Sequence, residues 1–230
     1  MRRVYKSVSV AKGDGGFEVR LDGRPVRTPA RRSLHVPTEG LAAAIAAEWD
    51  GQGETVRPDR MPMMQLACTA LDRVQPDPAA VADAAARFGE TDLVCYRADD
   101  PPALAHRQHA AWQPLLDWVA LDHDAAFKVA HGIMPVAQPA EAMAAMRAAV
   151  GRLDPWRLAA LSVATAAAGS VVIGLALVAG RLDAEAAWAA SQLDESFQIE
   201  QWGEDAEAAQ RRQALRAEFQ AVERFVALLG

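Results

Sequence analysis

The sequence predicts an α+β fold: a small N-terminal β-meander or hairpin subdomain over residues 1–58, then a larger, mainly helical domain over 59–230. Three observations carry this. The first 36 residues alternate apolar and polar side chains with the strand period of two. Glycine-rich dipeptides interrupt that alternation where tight turns belong. Beyond them the apolar residues recur at helical spacing between capping residues, in a chain rich in alanine with only 6% aromatics.

In order, Val8 and Val10 belong to a first strand and Phe17, Val19 and Leu21 to a second, joined across Gly13-Asp14-Gly15-Gly16. Asp22-Gly23 then turns the chain toward Val26, since Asp-Gly suits a hairpin turn whose two central residues need positive φ. A third turn at Thr28-Pro29-Ala30 leads to Leu34 and Val36, completing a meander of about four strands. Thr38 caps a helix with Leu41, Ile45 and Trp49 on one face, stopped near Gly51 and Gly53. Leu66, Ala70, Leu71 and Val74 mark another short helix, and Asp77-Pro78 opens one across Val81–Phe88.

Leu104–Leu121 has helical period, with a kink or break expected at Pro114. Phe127–Val136 reads as a loop or short strand, and Pro139 starts a helix through Val150. Asp154-Pro155 caps and opens a long apolar helix; Leu158 to Gly180 holds no charged residue. Its many Ala, Gly, Ser and Thr residues offset the gain of membrane insertion, so a helix buried on all sides is expected there rather than a membrane span. Gly169 and Ser170 inside it are read as small residues that let another helix approach. Asp183 caps a helix to about Gln201, Gly203 breaks it, and Glu204–Leu229 continues with a stripe of Ala208, Leu215, Phe219, Val222 and Val226.

Chemistry-bearing motifs are sparse. The sequence has no GxxxxGK[ST] loop, and its three lysines are Lys6, Lys12 and Lys128. His106 and His109 are spaced i, i+3 without a supporting carboxylate, so no metal site is expected, and no cofactor site either. No serine sits in a GxSxG elbow. Cys68 and Cys95 lack CxxC spacing and read as buried thiols of a reducing compartment. Met1-Arg2-Arg3 runs directly into the strand pattern without an apolar signal core or an amphipathic presequence, which leads us to expect a cytoplasmic protein.

Charge is unevenly distributed although the net value is only −6. Residues 1–35 carry nine basic groups against three acidic ones, whereas residues 183–207 carry eight acidic groups and no basic one. The basic end has its arginines spread over turns and both strand faces, with only Tyr5 and Phe17 available for stacking, so nucleic acid is not expected as a partner. In the acidic stretch Gln192–Ala208, Phe197 and Trp202 are interleaved with carboxylates. Spacing alone leaves three readings open: a solvated face, a partner-binding face, or acid–base work on a small molecule by Glu200, Glu204 and Asp205.

Several ordered blocks are similar to one family. They are Gly16-Phe17-Glu18-Val19-Arg20-Leu21-Asp22-Gly23-Arg24 with Thr28-Pro29; Glu48-Trp49 with Gln52; Met61-Pro62; and Thr91-Asp92-Leu93-Val94-Cys95-Tyr96-Arg97. Gln108 with Trp112-Gln113-Pro114-Leu115 follows, and the most specific block runs from Leu193 through Trp202-Gly203-Glu204-Asp205. The chain resembles the chaperones that assemble the soluble catalytic sector of F-type ATP synthase, found in mitochondria and alpha-proteobacteria. The resemblance implies a non-catalytic protein that binds the unassembled alpha subunit, with no cofactor, no small-molecule substrate and no stable membrane insertion. It also implies a functional acidic residue in the last block. Carried over, that residue is Glu204, with Glu200, Asp205, Trp202 and Glu195 beside it as partner-binding candidates. Because Gly203 ends a helix, Glu204 is expected near the start of the next one, where a carboxylate could cap that helix instead of touching a client.

Overall fold

The computed structural model describes residues 2–132 and 134–230. The chain divides into two compact units built from interleaved segments. The first comprises residues 1–78, 154–160 and 224–230, the second residues 79–153 and 161–223.

The first unit begins with strands β1 (Val8–Gly13) and β2 (Gly16–Leu21), antiparallel with Val10 opposite Val19 and Gly13 opposite Gly16. The Asp22-Gly23 turn has positive φ at both residues, 47° and 79°, as its sequence requires. Strands β3 (Arg24–Pro25) and β4 (His35–Val36) depart from the expected meander. Both pair with β2, β3 at its Arg20–Leu21 end and β4 at its Phe17–Glu18 end. Between them the Thr28–Arg32 turn is stitched by Thr28 Oγ1 donating to Asp72 at 2.7 Å and by the Ala30 N–H donating to the same carboxylate.

Helix α1 (Glu39–Asp50) packs on β1 and β2, burying Leu41, Ile45 and Trp49. Thr38 Oγ1 accepts from the Leu41 N–H and donates to the Leu228 carbonyl at 2.6 Å, so the cap also pins the chain's last residues. After a 3-10 turn at Pro58–Arg60 comes α2 (Pro62–Thr69), prolonged by a π turn over Ala70–Val74. The Glu48 carboxylate accepts from the N–H groups of Met63 and Met64 at 2.7 and 2.9 Å, replacing the missing cap of α2. Burial outweighs those bonds and raises its pKa above the ordinary glutamate value. Gln52 accepts from the Arg57 N–H and donates to the Glu48 carbonyl, fixing the intervening loop. Residues singled out in the Glu48-Trp49 and Gln52 block are therefore structural ties of this unit.

The second unit starts with α3 (Pro78–Ala86) and two 3-10 turns, Arg87–Thr91 and Leu93–Cys95. Strand β5 (Tyr96–Arg97) pairs in parallel with β6 (Ala130–His131); Ile133, in the stretch expected to be loop or strand, lies outside the described residues. Between these strands runs α4 (Pro102–His123), continuous through Pro114 rather than broken there. Proline removes one hydrogen bond and costs about 3 kcal/mol. Helix α4 buries Trp112, Leu115, Leu116, Trp118 and Val119, each side chain contributing about 1.5–3 kcal/mol, so packing prevails.

Next come α5 (Ala140–Gly151), α6 (Pro155–Ala168) and α7 (Val171–Val178). The single long helix expected across the charge-free stretch is thus two. Gly169 takes φ 64° and Ser170 is extended, its Oγ accepting from the Ile173 N–H as an N-cap. Close approach occurs instead at Gly174, where a Cβ would meet Thr165 Oγ1 at 2.6 Å. All eight residues of α7 are buried, in keeping with a helix enclosed on every side. No helix among the described residues is long and apolar enough to cross a membrane.

Asp92, wholly buried, ties this break together. Its carboxylate accepts from the N–H groups of Val94 and Val172, both at 3.2 Å, and bonds to the Ser170 hydroxyl and Val171 N–H. Desolvation still dominates and pushes its pKa up to about 6. The helix expected from Asp183 to Gln201 is likewise two, α8 (Ala184–Ser191) and α9 (Leu193–Trp202), interrupted at Gln192 with ψ 19°. Helix α10 (Ala206–Leu229) ends the chain, and the apolar stripe expected along it turns toward Phe225, which is buried with Phe219 and Val222.

Candidate functional site

Helices α8, α9 and the first turns of α10 bring the acidic stretch together, and α4 holds them in place. The amide of Gln108 accepts from the Ala98 N–H at 2.7 Å and donates to Asp194 at 2.8 Å. Trp112, fully buried, donates its indole N–H to the Ala190 carbonyl at 2.9 Å. Arg107 reaches Glu200, one nitrogen lying 2.8 Å from both carboxylate oxygens, and its guanidinium covers the Phe197 ring at 5.2 Å.

From the other side α10 supplies arginines. Arg212 lies 3.1 Å from Glu204, donates to Ser196 Oγ, and stacks 5.0 Å from the Trp188 ring centre. Arg216, one turn on, stacks on the same ring at 5.3 Å and pairs with Glu185. Its hydrogen bonds, with one from Gln220, hold the Glu185 carboxyl below the ordinary range. Arg211 pairs with Glu207 at 2.9 Å. A stretch with eight acids and no base in sequence is therefore half neutralised by four arginines from elsewhere in the chain.

The five candidates fall into distinct settings. Gly203, with φ 83°, ends α9 in the left-handed region, which favours glycine. Asp205, not Glu204, caps α10: its Oδ1 accepts from the Ala208 N–H at 2.8 Å. Glu204 instead points back to Arg212, and Glu200 to Arg107. Glu195 has no ion-pair partner among the described residues; it lines a shallow groove of about 220 Å³ with Gln192, Arg211, Arg212 and Leu215. Trp202 is 80% exposed. The carboxylates thus do not converge on one cavity. Among the described residues no group of three or more His, Cys, Asp or Glu could hold a metal, and His106 and His109 are both exposed.

Sequence reasoning missed Arg107, Arg212, Arg216 and the Trp188 ring between the last two. The available signal was the i, i+4 spacing of Arg212 and Arg216, which puts both on one face of α10. A bare tryptophan beside carboxylates locked by arginine has the make-up of a protein-contact surface, an aromatic anchor on a preformed frame.

The description "ATP12 chaperone protein" belongs to the family model that matches residues 2–120, just over half of the chain. The chain belongs to the ATP12 chaperone family. The mitochondrial protein atp12 of Schizosaccharomyces pombe is 28% identical over 220 residues, covering 88% of this chain and 74% of that one. The crystal structure of Atp12 from Paracoccus denitrificans matches with TM-score 0.93 and 42% identity, covering all of this chain and 98% of that one. A mutant form of the same Paracoccus protein matches equally. A crystal structure of a chain from Agrobacterium tumefaciens matches with TM-score 0.93 and 42% identity, covering 86% of its length.

Proposed function

We propose that the chain is a non-catalytic assembly chaperone of F-type ATP synthase that binds the unassembled alpha subunit, with the α9–α10 turn as a client-contact surface. Membership of the ATP12 chaperone family supports the assembly role. The alpha subunit as client follows from the resemblance of the Leu193–Asp205 block. Unassembled alpha exposes apolar surface destined for its partner subunit, and such surface aggregates unless covered. The observation that carries the choice of surface is Trp202, 80% exposed at the end of a helix held by Arg107 and Arg212. Large exposed aromatic side chains on rigid elements are what hot spots use. Glu200, Glu204 and Asp205, near it in sequence, and Glu195, earlier on the same helix, are the proposed polar rim. The carboxylates' commitment to arginines and a helix cap favours binding over acid–base chemistry, because a general acid must be free to reach its substrate. Similarity to bacterial chains supports a bacterial cytoplasmic location.

The test presents tagged alpha and beta subunits separately to the purified chain. Retention of alpha, suppression of alpha aggregation, and loss of both in Trp202→Ala are expected. A chain that neither binds alpha nor slows its aggregation sinks the reading.

A further inference from the structure

The first unit also carries a hairpin whose charges are all of one sign. From Arg24 to Val36 the chain holds four arginines, Arg24, Arg27, Arg31 and Arg32, and no aspartate or glutamate. Between β3 and β4 this segment folds back on itself. The Arg27 and Ser33 backbones form an antiparallel bridge, and the Thr28 N–H donates to the Arg32 carbonyl at 3.0 Å. The turn closes where the Arg31 N–H donates to the Thr28 carbonyl at 2.8 Å, with Arg31 at φ 64°. That left-handed conformation suits glycine better than any residue with a Cβ, yet the position carries a guanidinium.

The hairpin is a fixed mount for these charges. Asp72 of the π turn accepts from Thr28 Oγ1 and from the Ala30 N–H, and lies 3.8 Å from Arg32 Nε. The Arg27 guanidinium donates to the Arg31 carbonyl at 3.2 Å, which ties it to the turn. Arg27 and Arg31 are both exposed, as is Arg73, the residue after Asp72. Among the described residues Arg24, Arg27, Arg31 and Arg73 have no carboxylate partner, whereas Arg32 shares Asp72. Guanidinium groups held this way keep their field for a partner from outside.

Arginine forks match carboxylates and phosphates alike, so the surroundings decide between anions. The tip, Pro29-Ala30, offers no aromatic ring on which a base could stack and no large apolar side chain to enter a bilayer. A carboxylate is what the turn already holds on its covered side, where a hydroxyl, a backbone amide and a guanidinium meet Asp72. We propose that the exposed side of the Arg27–Arg32 turn binds an acidic segment of a partner protein, its carboxylates pairing with Arg27 and Arg31.

The probe is a fluorescein-labelled Gly-Glu-Ser-Glu-Gly-Glu-Ser-Glu peptide, followed by fluorescence anisotropy on the full chain. Its counterpart has glutamine at every glutamate. Vesicles of phosphatidylcholine with phosphatidylserine, and oligothymidylate, stand for the other polyanions. The glutamate peptide is expected to bind at least about tenfold more tightly than the glutamine peptide, and less tightly as salt is raised. Arg31→Gly, which removes the guanidinium and relaxes the backbone, should weaken binding about fivefold, and Arg27→Gln added to it should weaken binding further. Lys128→Gln, which removes the same charge from an exposed site in the second unit, should leave binding unchanged. Circular dichroism checks that each variant folds, and the two-peptide comparison on the unaltered chain needs no variant. No binding of the glutamate peptide, equal binding of the two peptides, equal losses in Arg31→Gly and Lys128→Gln, or tighter binding of vesicles or oligothymidylate overturns the proposal. Retention of alpha in the pull-down without binding of the glutamate peptide defeats this surface and leaves the chaperone reading standing. Binding of the peptide at the hairpin without retention of alpha does the reverse.

Discussion

Arg212 Nε lies 3.1 Å from the Glu204 carboxylate while the same guanidinium covers the Trp188 ring, so one side chain joins the turn after α9 to the face of α8. Glu204 therefore holds the candidate surface in shape whatever else it touches. Its carboxylate does not cap α10, which falls to Asp205.

Glu204→Lys puts an ammonium beside a guanidinium that is only 13% exposed. Losing an ion pair and gaining like-charge repulsion should cost about 2 kcal/mol, and Glu204→Gln distinctly less. Denaturant unfolding measures both. Hydrogen exchange across 199–212 should show the lysine variant loosened there. A fully stable Glu204→Lys protein would contradict the tie to Arg212.

Asp205→Ala removes the N-cap of α10 and should lower stability by about 1 kcal/mol, with Asp205→Asn nearly neutral because asparagine caps equally well. Thermal unfolding of the three proteins decides this. Equal losses in both variants would mean that the charge rather than the cap matters.

Trp202→Ala should leave stability within about 0.5 kcal/mol of wild type, since the ring is 80% exposed. Client retention is expected to fall at least tenfold, as for a hot-spot aromatic. A variant that unfolds readily would show that Trp202 packs rather than presents.

Asp92 gives the pH prediction. Its folded pKa, about 6, lies above the unfolded value near 3.8, so the folded state binds this proton more tightly. Its stabilising contribution is full below about pH 4 and is lost as pH rises through about 6, at up to about 1.4 kcal/mol per pH unit. Asp92→Asn removes that titration. The stability of wild type minus that of Asp92→Asn should thus decline between pH 4 and 7, and a difference flat across that range would show that Asp92 does not titrate there.

Local signals in the sequence were strong where a few adjacent residues decide the outcome. The Asp22-Gly23 turn, the Thr38 cap and the Asp183 cap all need only a residue and its next three neighbours. What escaped required distant groups. The break at Gly169-Ser170 is stabilised by Asp92, some eighty residues earlier in the chain, within a run whose composition is uniformly apolar or small. Of the kink or break expected at Pro114 the break does not occur, because the burial that carries α4 through it is a tertiary effect. The candidate residues were legible as a cluster, but their roles were not. Nothing near Glu200 announces Arg107, 93 residues away, and Glu204 and Asp205, adjacent in sequence, proved to have different partners.

The four arginines that answer the acidic stretch also bear on how a client would reach the proposed contact surface. Had the eight carboxylates stood alone, they would have formed a long-range attractor for any basic surface, with capture speeding up sharply in dilute salt. Paired as they are, half of that field is cancelled within a few ångströms of its source. Stopped-flow association of client with this face should then change by less than about tenfold between low and physiological ionic strength. On the proposed client-contact reading, recognition at this face is decided after collision, by fit around an uncovered indole, and not by attraction at a distance.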